Sequence, residues 1–78
     1  MTWAGEAIVE SWNRDEGWGV LLLGNGERAW AHFSMIRGSG FRALAPGQRV
    51  AGEFERRPAN YPVEDDRCAW IAQTVHRE

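Results

Sequence analysis

Apolar and polar residues alternate along this chain in short runs, and no window of eleven or more residues carries the apolar period of a helix. The pattern predicts an all-β protein. A first strand is expected over residues 7–12, broken by Arg14-Asp15-Glu16-Gly17, and a second over 18–23, which meets Gly24-Asn25-Gly26. A third follows at once over 27–33. Residues 34–47 form a long irregular stretch with room for one helical turn around 34–36. In a fourth strand, 48–56, Val50, Gly52 and Phe54 alternate in part with Arg49, Glu53 and Glu55. A polar loop, 57–67, carries Pro58, Pro62 and Glu64-Asp65-Asp66, and a last strand, 68–75, puts Ala69, Ile71 and Val75 in register.

The turn between the second and third strands decides which side chains share a face. A two-residue Asn25-Gly26 loop sets Trp30 opposite Leu21. A three-residue loop with Gly26 in the left-handed conformation sets Trp18 across from His32, Val20 from Trp30 and Leu22 from Arg28. The second register sorts the residues better. It gathers Gly19, Leu21, Leu23, Ala29, Ala31 and Phe33 on a core face, and Trp18, Val20, Leu22, Arg28, Trp30 and His32 on the other. Indoles, an imidazole and a guanidinium together suit a wet platform better than an interior.

Five short strands around one small core predict a single domain over residues 1–78. The expected form is a five-stranded antiparallel OB-type barrel, because closure removes exposed edges. An SH3-like barrel is the structural alternative. The net charge of -2 argues against a grip on duplex phosphates by bulk charge. All nine basic residues are Arg, and five residues are Trp, so any grip on nucleic acid would fall to stacking and to guanidinium contacts. The longest aliphatic run is Val20-Leu21-Leu22-Leu23, too short to span a bilayer. The first residues lack a secretory leader and Cys68 is the lone cysteine, which points to the cytoplasm. His32 has no second ligand at metal-site spacing, so no metal or other cofactor is implied. Ser34, His32 and Asp15 do not space as a catalytic triad, which excludes an enzyme.

Three blocks bring in a family resemblance. The stretch Asn13-Arg14-Asp15-Glu16-Gly17-Trp18-Gly19-Val20-Leu21 resembles the N-x-x-K-G-F-G-F-I signature of the cold-shock domain family, and Ala29-Trp30-Ala31-His32-Phe33-Ser34 resembles its V-F-V-H-F-S. Further on, Gly40-Phe41-Arg42-Ala43-Leu44-Ala45-Pro46-Gly47-Gln48-Arg49-Val50 is similar to its G-F-K-x-L-x-x-G-Q-x-V, with the spacing between blocks kept. The resemblance covers residues 7–54. It implies an OB barrel with a face for single-stranded RNA or DNA built from Trp12, Trp18, Trp30, His32, Phe33 and Phe41. Asn13 and Arg42 stand at its margin, and the guanidinium chemistry of Arg28 and Arg42 adds the expectation of some phosphate contact. It also implies work as an RNA chaperone or as a regulator of transcription or translation.

The departures are as specific as the matches. Glu10 and Glu16 stand where the family has lysines, Ser11 where a tryptophan is usual, Val20 where a phenylalanine is usual, and Arg28 where an aspartate is common. The loop 57–67 exceeds the family's. Glu10 and Glu16 motivate an alternative, in which the same aromatic face docks a protein partner, since Trp and Arg also dominate protein hot spots. The expected state is a monomer, with a homodimer through exposed Trp3 or Trp70 as the other possibility.

Overall fold

The computed structural model describes residues 2–37 and 43–77. Its strands are β1 (Thr2–Asn13), β2 (Trp18–Leu23), β3 (Arg28–His32), β4 (Arg49–Arg56) and β5 (Cys68–Arg77), with a 3-10 turn over Phe33–Met35 after β3. They close in the order β1-β2-β3-β5-β4, with β4 returning to β1. This is the expected five-stranded OB-type barrel. Among the pairings of these five strands all are antiparallel but one: β3 and β5 run parallel, with Ala29 beside Trp70 and Trp30 beside Ile71.

Closure depends on the length of β1, which begins well before residue 7. Its first half pairs with β4, from Thr2 beside Glu55 to Ile8 beside Arg49, and its second half pairs with β2. Residues 2–6 belong to the strand because β4 supplies ladder partners, which local alternation does not reveal. Between Val9 and Ser11 the register with β2 shifts by one residue, and this bulge at Glu10 bends the strand around the barrel.

The hairpin of β2 and β3 takes the register with Trp18 beside His32, Val20 beside Trp30 and Leu22 beside Arg28. Gly26 has φ 87°, a conformation that costs glycine nothing and most residues a good deal, so the three-residue loop follows from its identity. The core holds Ala7, Val9, Leu21, Leu23, Ala29, Ala31, Val50, Phe54 and Val75, closed by Ile36, Leu44 and Trp70. Phe33, expected on that face, instead opens the 3-10 turn and is exposed.

The alternation expected along β5 is overturned. Pairing with β4 shifts between Glu53–Thr74 and Phe54–Ala72, leaving Gln73 as an extra residue. Trp70 and Ala72 therefore face the core with Val75, while Ile71 joins a second buried cluster outside the barrel. Trp70 is buried, and its Nε1–H donates to Glu27 Oε1 at 3.0 Å, so it offers no dimer surface. Trp3 packs its ring against Phe54 at a centroid distance of 5.6 Å and is half-buried.

Candidate functional site

The outward face of the β2–β3 hairpin carries the residues singled out by their chemistry, and the structure divides it. At one end Trp18 and His32 are half-buried and Phe33 is 43% exposed. The His32 and Phe33 rings lie 4.3 Å apart between centroids and tilted by 42°. Trp30 continues the row, stacked at 5.9 Å and 26° on His32. His32 is also held from behind. The Ser34 backbone N–H donates to its Nδ1 at 3.3 Å and the Ser34 hydroxyl lies 2.9 Å from the same atom, so the ring caps the 3-10 turn.

Two glycines seat the rings at this end. A Cβ on Gly17 would stand 2.7 Å from the Phe33 ring, and one on Gly19 would stand 2.2 Å from the Trp12 ring and 2.5 Å from the Ser11 carbonyl oxygen. Trp12 lies opposite Gly19 on the core-facing side of the sheet, half-buried against the core at the barrel's end. Its edge still reaches the site. Trp12 and Phe33 line a cleft of about 310 Å³ with Arg14, Asp15, Glu16, Gly17 and Ala43. Asn13 is exposed beside it, and its Oδ1 accepts the Glu16 backbone N–H at 3.0 Å, closing the turn between β1 and β2. Phe41 and Arg42 lie outside the described residues.

The two glutamates at lysine positions are engaged. Glu16 Oε1 accepts the Trp18 Nε1–H at 2.9 Å, fixing one edge of that indole. Glu10 Oε1 accepts from Arg28 Nε at 2.7 Å, and Arg67 stands 4.0 Å from its other oxygen. The two departures of opposite sign, Glu10 and Arg28, thus form one ion pair with its charges exchanged between strands. Arg28, expected to reach phosphate, engages Glu10 through its Nε.

At the other end the expectation of an open platform fails. Trp30 is only 8% exposed, and Val20, Cys68 and Ile71 beside it are also buried. The cause is the segment 57–67, which folds back over them. Tyr61 and Val63 pack on the cluster, the Tyr61 ring stands edge-on to Trp30 at 6.0 Å, and Glu64 Oε1 accepts the Trp30 Nε1–H at 2.7 Å. Tyr61 and Glu64 were missed because the loop's composition is that of a solvated one. The available signal was Tyr61 and Val63, alternate apolar residues on either side of Pro62. Burial, helped by the Asp65 carboxylate, pushes the Cys68 thiol up to about 11.

No protein-family model matches the chain. A major cold shock protein of Streptococcus pyogenes serotype M6 is 40% identical over 50 residues, covering 64% of this chain and 75% of that protein. The chain belongs to the cold-shock domain family. The cold shock protein CspC of Bacillus subtilis is 33% identical over 65% of this chain and 77% of its own length. The cold shock-like protein CspE of Bacillus anthracis is 38% identical over 70% of this chain and 79% of its own. Among solved structures, a protein of unknown function from Bacteroides vulgatus superposes on 97% of the chain with a TM-score of 0.58 and 21% identity. The chain spans 32% of that protein's length, and the likeness is one of fold. Among the described residues the accessible rings of this face are Trp18, His32 and Phe33, with Trp12 at the mouth of the adjoining cleft.

Proposed function

We propose that the chain binds single-stranded RNA or DNA by stacking bases on Trp18, His32 and Phe33, with Trp12 lining the cleft that receives a neighbouring base. The observation that carries this is the run of accessible rings on the outer face of a closed barrel, His32 and Phe33 only 4.3 Å apart, in a member of the cold-shock family. Every base has a flat face, so binding tolerates sequence, and each stack contributes about 1 to 3 kcal/mol. A duplex keeps its bases stacked on each other and gains nothing from these rings. Holding strands unpaired in this way is the action of an RNA chaperone or of a regulator acting on transcripts.

A protein partner for the same face had its motive in Glu10 and Glu16. Glu10 is paired with Arg28, which weakens that motive at one position, while Glu16 bonds the neutral Trp18 indole, which does not offset its charge. Titration of tryptophan fluorescence with a mixed-sequence single strand and with the matching duplex, at low and physiological salt, tests the reading. Saturable quenching by the single strand alone is expected. Absence of quenching at both salts would refute it and turn the search to a protein partner.

A further inference from the structure

We propose that residues 57–67 act as a built-in occupant of the Trp30 end of the aromatic face, and that they set the length of single strand the face accepts. The inference rests on the stacking function proposed above. Without this strap the row would run on from Phe33 and His32 to Trp30, since Trp30 is already stacked on His32 at 26°. The strap places two groups over that indole: the ring of Tyr61 against it and the carboxylate of Glu64 on its N–H. An aromatic ring and an anion are what a nucleotide would itself bring. A strand can gain Trp30 only by displacing both.

The strap is tied at its two roots, so displacement is costly. Arg57 donates from its backbone N–H to the Ala69 carbonyl at 2.9 Å, from Nε to the Cys68 carbonyl at 2.7 Å and from Nη1 to the Tyr61 carbonyl at 3.1 Å. At the other root Arg67 and Asp65 form a bidentate pair at 3.0 and 2.7 Å, and the Cys68 backbone N–H donates to the Asp65 carbonyl at 3.1 Å. Glu10, through Arg67, links this root to the reversed pair with Arg28. The departures from the family's pattern at positions 10 and 28 and the long loop therefore belong to one arrangement. Under it lies a reporter, because Cys68 is fully buried by the same cluster.

The test compares the wild type with a variant carrying Tyr61→Ser, Val63→Ser and Glu64→Ser. Affinity is measured for mixed-sequence single-stranded DNA of about 4 to 16 nucleotides, and alkylation of Cys68 reports strap opening. Faster alkylation, binding tighter by roughly tenfold, and affinity that saturates at a greater length than in the wild type are expected, as one more ring becomes available. A variant with an accessible Cys68 that binds no tighter and saturates at the same length overturns the strap's role alone. Weaker binding overturns it too, making the strap part of the grip. Failure of both proteins to bind at any length refutes the stacking function itself. If the triple variant loses its cooperative melt, Tyr61→Ala replaces it with the same expected direction, since the strap's root hydrogen bonds use no Tyr61 side-chain atom.

Discussion

An indole N–H that leaves bulk water needs an acceptor, and this chain supplies one repeatedly with glutamate: Glu16 for Trp18, Glu64 for Trp30 and Glu27 for Trp70. The same residue type thus has three fates. Trp70 is core, Trp30 is core made by a loop, and Trp18 alone of the three keeps a face toward solvent. Alanine substitution should separate them. Trp18→Ala is expected to cost about 1 to 3 kcal/mol of oligonucleotide affinity with little change in the melting temperature. Trp30→Ala is expected to cost about 3 to 5 kcal/mol of stability, read in urea unfolding, because it empties a buried site. Gly52 offers a harder test of close packing. A Cβ there would stand 2.2 Å from the Thr74 carbonyl oxygen, which is backbone at the β5 bulge and yields little. Gly52→Ala should destabilise the barrel by about 1 to 3 kcal/mol, again by urea unfolding.

Among the elements, the hairpin was legible and the strap was not, for one physical reason. Alternation reports which face of a strand is apolar, and in β2 and β3 it agreed with the turn chemistry of Gly26, so the register followed and with it the core residues other than Phe33. It says nothing about what later covers the outer face. Covering Trp30 required Tyr61, Val63 and Glu64 to arrive from a segment rich in charge and proline. Parity in β5 failed at Gln73 because a bulge is set by the partner strand, not by its own residues. Of the site residues, Trp18, His32 and Phe33 lie together on the accessible end, while Trp12 belongs to the barrel mouth and Trp30 to the covered end. Asp65 gives the strap a measurable signature. The Arg67 side chain, then the Arg67 backbone N–H, holds its carboxyl at about 2 against 3.8 for an unperturbed one. A carboxyl held below its unfolded value stabilises the fold fully above about pH 4, and that contribution disappears as pH falls through about 2. The Arg67 amide resonance should therefore titrate in NMR with a midpoint near 2, well below that of an ordinary aspartate.

For the whole molecule, net charge limits how the ligand is held. With a formal charge of -2 and with Arg28 committed to Glu10, few phosphates are neutralised on binding. Each neutralised phosphate contributes about -0.7 to the slope of log affinity against log salt for a single strand. A slope no steeper than about -2 is expected from titrations across a salt series. A steeper one would shift the grip from bases to backbone.

The parallel contact between β3 and β5 bears on how the protein is made. A parallel pair cannot be closed by a hairpin turn and needs a crossover, here supplied by β4, which pairs with both β1 and β5. While residues 68–77 are still inside the ribosome, β3 has an unpaired edge and Leu21, Ala29 and Phe54 have no Trp70, Ala72 or Val75 to close over them. The four strands β4-β1-β2-β3 are then an open sheet with two unpaired edges. Closure of the barrel must wait for β5, and until it arrives the sheet keeps edges that invite pairing with another chain.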